Sequence, residues 1–179
     1  MHIAAGKIKR IANGSFRSIV VHQDQVYAAD SKKWQTQVFQ NNGTSSKGWR
    51  QLRSIDHDFQ EKNYILTLSI SNNQLKCCST VDGSIKVYSL SGELLQTYGT
   101  RGHDDAGQLA CPYISDDYDD GSVLIANWSN NRLQVMSEQG EFSVLQLQPP
   151  VSCPRSAVQL NNQLYVTSGT GNIICKYSC

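Results

Sequence analysis

The 179-residue sequence predicts an all-β chain built from repeated four-stranded units. Three observations carry that expectation. First, four short runs resemble one another: Gln25-Val-Tyr-Ala-Ala-Asp30, Gln74-Leu-Lys-Cys-Cys-Ser79, Ser122-Val-Leu-Ile-Ala-Asn127 and Gln163-Leu-Tyr-Val-Thr-Ser168. Their starts lie 49, 48 and 41 residues apart, the period of four-stranded blades in a β-propeller. Second, no segment has the apolar spacing of an amphipathic helix, so essentially no helix is expected. Third, turn signals such as Asn72-Asn73, Asp82-Gly83 and Ser91-Gly92 punctuate the apolar runs.

In chain order, Gly6 to Ile11 reads as a short isolated strand. Ser18–His22, Gln25–Asp30 and Gln35–Phe39 follow, then a turn-rich excursion from Asn41 to Gly48 and an outer strand from Trp49 to Ile55. The second unit has Ile65–Ile70, Gln74–Ser79, Ile85–Leu90 and Leu94–Tyr98. The third has Tyr113–Ser115, Val123–Asn127, Leu133–Met136 and Phe142–Leu147, and Pro149-Pro150 breaks the chain after it. The fourth has Ser156–Leu160, Leu164–Ser168 and Ile173–Tyr177, with no outer strand of its own. The consecutive apolar residues Val123-Leu-Ile-Ala126 fit a strand buried on both faces, as a strand between stacked blades must be.

These units define a single domain over 1–179, with blades at about 15–56, 63–99, 110–147 and 154–179 and a spare strand at 6–11. That spare strand could complete the fourth unit and close a small ring. The preferred alternative is a fragment of a larger, six-bladed propeller, because repeat arrays divide easily at blade boundaries.

Composition bounds the function. Net charge is +1, with 39% hydrophobic and 17% charged residues, so there is no global basic footprint and no DNA partner is expected. The N-terminus lacks the apolar stretch of a signal peptide, and no run approaches the roughly eighteen apolar residues of a membrane span. A cytoplasmic protein is expected. The six cysteines, Cys77, Cys78, Cys111, Cys153, Cys175 and Cys179, show neither a C-x-x-C pair nor zinc-finger spacing. Reduced thiols are expected rather than disulfides or a metal site.

The run from Gly107-Gln-Leu-Ala-Cys-Pro112 through Gly121–Asn127 and Asn130-Asn-Arg-Leu-Gln-Val135 to Gly140-Glu-Phe142 resembles the NHL repeat. Gln25–Asp30 is similar to the middle element of that repeat, including its Asp. The other copies depart from the pattern, with Ser79, Asn127 and Ser168 where the family has Asp. The resemblance implies an NHL propeller that binds partners, like those that close tripartite-motif ubiquitin ligases and select protein substrates or RNA. Cys and His spacing leaves no room for a RING within these residues, so any ligase activity would belong to a longer parent chain. Asp30, Gly107, Pro112, Asn131, Arg132 and Gly140 are the repeat residues, explained by turns and blade packing.

One end of a propeller carries the loops between second and third strands and those entering each blade. There the expected partner-binding set is Lys32, Lys33, Trp34, Arg101, His103, Trp128, Asn130 and Arg155, with Lys62 nearby. Aromatic and Arg side chains anchor protein interfaces, and the same chemistry could stack on and neutralise single-stranded RNA. The structural alternative has Trp128 packing on the neighbouring blade and the lysines solvated. Asp116, Asp117, Asp119 and Asp120 offer oxygens for Ca²⁺ but lack EF-hand spacing and read as a solvated turn. No nucleophile motif occurs. His22, His57 and His103 occupy no shared repeat position, which disfavours the remaining alternative, a metal-dependent propeller hydrolase or lyase. No catalytic residue, metal or cofactor is expected, and a protein partner is expected ahead of RNA, with no membrane.

Overall fold

A computed structural model describes residues 11–41, 48–59, 66–169 and 173–178. Each apolar run pairs with the next through a tight turn, and the result is three four-stranded sheets, one three-stranded sheet and a small two-stranded one. The first blade holds β1 (Phe16–His22), β2 (Gln25–Asp30), β3 (Gln35–Asn41) and β4 (Trp49–Asp56). The second holds β5 (Leu66–Ser71), β6 (Gln74–Ser79), β7 (Ile85–Ser89) and β8 (Leu94–Tyr98). β9 (Thr100–Arg101) and β10 (Gln108–Leu109) pair in parallel within the connection to the third blade. That blade holds β11 (Pro112–Asp117), β12 (Val123–Asn127), β13 (Arg132–Met136) and β14 (Phe142–Val144). The fourth holds β15 (Pro154–Leu160), β16 (Gln163–Ser168) and β17 (Ile173–Ser178). Within each blade the strands are antiparallel and in sequence order, as short hairpin turns require. The chain is an all-β propeller array, as the repeat spacing predicts.

Each blade buries one face on the next. Tyr27, Ala29 and Val38 of the first blade pack on Leu68, Ile70, Leu75 and Cys77 of the second. Cys78 and Ile85 meet Ile114, Ile125 and Met136 of the third. Leu124, Ala126 and Leu133 meet Ala157, Leu164 and Val166 of the fourth. All five residues of β12 are buried, so this strand is sandwiched on both faces. Each such Leu or Ile contributes roughly 1.5–3 kcal/mol when fully buried. Lys76 is the exception in β6: it is 1% exposed, and its ammonium donates to Ser71 Oγ. Burial pushes that ammonium down, and the carboxylates of Asp117 and Glu138 pull it partly back up.

The first strands β1, β5, β11 and β15 lie beside one another in that order. A repeated bond fixes the top of the opening hairpin in the first, third and fourth blades. Ser31 N donates to Ser15 O at 3.0 Å, Trp128 N to Cys111 O at 3.3 Å and Gly169 N to Cys153 O at 2.7 Å. The two Cys-Pro pairs thus start β11 and β15 in the same way, each with its Cys in the left-handed region at φ 52 and 44.

Several details differ from expectation. β9 and β10 had no signal, because two residues each are too few to show a period. β14 stops at Val144, since Leu145 and Leu147 turn into the contact between third and fourth blades. The only helical turn among the described residues is a 3₁₀ turn at Trp128–Asn130. The spare strand at 6–11 lies outside the described residues apart from Ile11, as do Lys62 and most of the excursion after Asn41. Ring closure is not seen: Ile19 and Val21 on β1 are each 64% exposed, and Val158 on β15 is 49% exposed.

Candidate functional site

The loops entering each blade and the tips between second and third strands gather at one end of the array. The long connection from Gly99 to Cys111 dominates it. Thr100 N bonds Gly107 O at 3.0 Å and Gly102 N bonds Leu109 O at 3.2 Å, so the connection folds back on itself. Its tip exposes Arg101, His103, Asp104 and Asp105.

The third blade clamps this loop from below. Asn127, fully buried, accepts from Ala110 N at 2.8 Å and donates from Nδ2 to Gln108 O at 3.0 Å. The same Nδ2 donates to Gln134 Oε1, and Gln134 Nε2 donates to Ala106 O. Arg132 donates to Gln108 O at 3.0 Å and to Asp105 O. Asn130 Nδ2 donates to Gly102 O at 3.0 Å, while Asn130 Oδ1 accepts from His103 Nδ1. The carbonyls of Gly102, Asp105, Ala106 and Gln108 therefore each have a side-chain donor from the third blade, and the charge-assisted donor, Arg132, is of the stronger kind. Gly83 completes the seat: a Cβ there would lie 2.5 Å from Arg101 Cα and 2.6 Å from Leu109 O.

Beside the loop, Trp128 begins the 3₁₀ turn and is half-buried. Its Nε1 is buried with no hydrogen-bond partner among the described residues. A Cβ on Gly169 would come within 2.8 Å of that nitrogen and 3.6 Å of Arg155 Nε, so the bare backbone there lets the indole and guanidinium approach. Arg155 lies with its guanidinium carbon 5.9 Å from the centre of the Tyr113 ring. Burial pushes the Tyr113 phenol up, against a smaller downward pull from Arg155. An open cavity of about 530 Å³ lies beside Arg155, Thr167, Ser168 and Gly169.

The structure brings Trp128 and Arg155 together across Gly169 at the junction of third and fourth blades and sets His103 on Asn130 of the third blade's tip, while Arg101 lies over Gly83 of the second blade. Arg155 stands on β15 rather than on a loop. Lys32 and Lys33 are exposed on the first blade's tip, two blades away. Trp34 is a correction: expected as an exposed anchor, it is 7% exposed and packs in the contact between first and second blades. Its φ of 59 turns the chain inward, with Trp34 N on Asp30 O and Trp34 O accepting from His57 N.

The repeat residues do structural work. Asp30 accepts from Lys32 N, Lys33 N and Gln37 Nε2 at 3.0, 3.3 and 2.9 Å. Asn131, left-handed at φ 51, accepts from Cys153 N at 2.8 Å and so ties the third blade to the fourth. Gly107 O closes the loop on Thr100, Pro112 O accepts from Cys78 Sγ at 3.4 Å, and Gly140 leaves room for the Tyr98 ring. Asn127, Gln134 and Gln108, the clamp itself, carried one signal in the sequence: an Asn where the first copy has Asp.

His22 bonds Asn73 Oδ1 at 3.1 Å at the opposite end of the array. His57 is buried between first and second blades, against Thr36 Oγ1 at 2.9 Å and Cys77 Sγ at 3.7 Å. The three histidines do not converge. Among the described residues no group of three or more His, Cys, Asp or Glu could hold a metal ion. Asp120 caps its own turn through Ser122, and Cys77, Cys78, Cys111, Cys153 and Cys175 are all free thiols. No helix among the described residues is long and apolar enough to cross a membrane.

Fold and site together define a β-propeller whose loop end is built around one braced excursion. Solved structures agree on the fold. A catalytically inactive H270A virginiamycin B lyase from Staphylococcus aureus with quinupristin superposes with a TM-score of 0.66 at 15% identity, over 96% of this chain and 58% of that one. A protein of unknown function from Bacteroides thetaiotaomicron superposes with a TM-score of 0.71 at 15% identity, over 92% of this chain and 47% of that one. The computationally designed Ika4 protein superposes with a TM-score of 0.60 at 12% identity, over 96% of this chain and 99% of that one. This chain therefore spans about half of the two natural proteins. No protein-family model and no curated protein matches the sequence.

Proposed function

We propose that the chain is a non-catalytic, cytoplasmic binding scaffold that takes a protein partner on its loop end, and that it serves as an NHL-type substrate-recognition module of a ubiquitin ligase whose catalytic parts lie outside these residues. The observation that carries this reading is the excursion 99–111, whose underside carbonyls are held by Asn127, Asn130, Arg132 and Gln134. A loop ordered before binding loses little entropy on binding. It displays Arg101 and His103 at the end of the array that also carries Trp128 and Arg155, and Trp and Arg are residue types that anchor interfaces.

The test is quantitative capture from cell extract by the wild-type chain, by Arg101→Ala with His103→Ala, and by Asp24→Ala at the opposite end. A partner held by wild type and Asp24→Ala but lost by the loop variant supports the reading. A partner set indifferent to the loop variant removes this end from consideration. RNA is the second reading, favoured by Lys32, Lys33, Arg101 and Arg155 standing exposed at one end. Single-stranded RNA binding that weakens steeply with salt would support it; no binding at low salt would end it.

A further inference from the structure

A β-bulge places Arg155. Pro154 pairs with Ser168 and Ser156 with Thr167, so Arg155 is the extra residue between them. In the third blade Pro112 and Tyr113 pair with Asn127 and Ala126, with no extra residue at this point. A bulge re-aims a side chain, and bulges are over-represented beside functional sites. Here the guanidinium reaches the third blade, with its carbon 5.9 Å from the centre of the Tyr113 ring, within cation–π range.

The donors gathered at this junction lack acceptors. Among the described residues no hydrogen bond or ion pair engages the exposed Arg155. Trp128 Nε1 is buried and is also without a partner. The two nitrogens flank one bare stretch of backbone: the place of a Cβ on Gly169 is 2.8 Å from Trp128 Nε1 and 3.6 Å from Arg155 Nε. A buried donor with no acceptor is destabilising, so such a group in a folded chain calls for an explanation.

The surroundings offer no anion of their own. Among the described residues, Arg155 is the one charged side chain lining the cavity of about 530 Å³ beside it. The hydroxyls of that cavity already donate elsewhere, Thr167 Oγ1 to Ser156 O at 3.3 Å and Ser168 Oγ to Ser152 O at 2.7 Å. Asp116, on the facing strand β11, is engaged further along β15, where it accepts from Gln159 N at 3.4 Å. The junction thus presents one positive charge, a planar fork of N–H donors and an indole N–H, with no acceptor to meet them.

We propose that this junction binds a carboxylate, with the Arg155 guanidinium donating to both oxygens and Trp128 Nε1 donating to one of them. The proposal rests on the reading of the loop end as a protein-binding surface, and it names the group recognised there: an Asp or Glu side chain of the partner, or its C-terminal carboxylate. One cation matches a monoanion, and the guanidinium fork fits a carboxylate bidentately. Arg155 has no hydrogen bond to break as it turns towards the ligand, and that turn gives the ligand access to Nε1. An RNA phosphodiester carries the same charge, but RNA binding draws its affinity from many such contacts together, and this junction supplies one.

Proton–nitrogen NMR of the 179-residue chain at low ionic strength tests this, with acetate as the probe and chloride as the ionic-strength control. Acetate should move the Trp128 indole N–H downfield along a saturating curve, and the Arg155 Nε–H with it; chloride should move neither. Arg155→Gln should weaken acetate binding about tenfold or more. Arg155 is exposed and makes no hydrogen bond, so this variant should melt with the wild type. Arg155→Lys should not restore binding, because an ammonium lacks the fork, and Trp128→Phe, which keeps a ring and removes the N–H, should weaken it. Short peptides with either a free C-terminus or a central Glu and an amidated end should bind in at least one form, and the tighter form identifies the source of the carboxylate. The proposal is overturned by the absence of a saturable indole shift, by binding that Arg155→Gln leaves unchanged or Arg155→Lys restores, or by tighter binding of dimethyl phosphate than of acetate, which would make the junction a nucleic-acid contact. A partner lost by the Arg101→Ala, His103→Ala variant but kept by Arg155→Gln also overturns it, and leaves the loop-end reading standing. Acetate binding as described without any loop-dependent partner supports the site and counts against that reading alone.

Discussion

The first and third blades build the same tip with different chemistry. In both, the last residue of the second strand is buried and bonds a glutamine two residues beyond its register partner on the third strand: Asp30 with Gln37, and Asn127 with Gln134. Asp30 can only accept, and it spends that capacity on its own tip, at Lys32 N and Lys33 N. Asn127 both accepts and donates, so it reaches outward to Ala110 N and Gln108 O on the incoming loop. The exchange of one oxygen for one amide group thus separates a self-capped tip from a tip that seats a loop. The second and fourth blades use hydroxyls: Ser79 Oγ accepts from Val81 N at 3.3 Å, and Ser168 Oγ donates to Ser152 O at 2.7 Å.

The severest way to break the contrast is Asn127→Asp. The new carboxylate would be fully buried and would face the Gln108 carbonyl with no proton to give. An uncompensated buried charge costs about 3 to 5 kcal/mol. Thermal unfolding should show that loss, and hydrogen exchange should show the 99–111 loop released first. A loop that stays protected would mean that Asn130, Arg132 and Gln134 hold it without Asn127.

Acid separates the two tips next. His57 donates its amide to Trp34 O and meets Thr36 Oγ1, so it braces the first tip against the second blade. Burial holds its imidazole at about 4 instead of 6.5, against a small upward pull from Asp56. The unfolded chain therefore binds the extra proton across that window, and stability is full above pH 6.5 and falls as pH drops towards 4. The loss is about 3 kcal/mol. His57→Gln should flatten the curve between these limits. Exchange of the Trp34 and His57 amides should quicken in acid while that of Ala110, held by neutral Asn127, does not.

Gly83→Ala should have a smaller, local effect. Its φ of +64 disfavours a side chain, and the added carbon meets the backbone of Arg101 and Leu109. Strain of this kind costs about 2 kcal/mol. Partner capture through the loop should fall more than stability does, because the loop is the part that must shift.

The blades were legible in the sequence because burial imposes its period on every strand. The five consecutive buried residues of β12 follow from the apolar run Val123–Ala126. The site was only half legible. Arg101, His103, Trp128 and Asn130 could be placed at one end by counting strands, and Arg155 lay within reach of them. Trp34 could not be told from Trp128, because both follow a matching strand; only the left-handed φ of Trp34 turns it into the core. Asn127 looked like a lapse from the repeat pattern, since a single sequence does not show that Gln108 and Gln134 converge on it from either side.

Asp30→Asn is the mildest test and the sharpest one for the comparison. The remaining oxygen can still accept from Lys32 N and Lys33 N, as Oδ1 does now. The new amide would replace Oδ2, which accepts from Gln37 Nε2 at 2.9 Å. Rotation of the Gln37 amide would turn its oxygen towards the new donor and reproduce the Asn127–Gln134 pair of the third blade. Only the charge assistance of the present bond is lost, about 1 kcal/mol, or a fall of about 2–4 °C in melting temperature for a chain of this size. A loss as large as that of Asn127→Asp would mean that the first tip depends on the charge itself, and the two tips would then differ by more than the reach of one side chain.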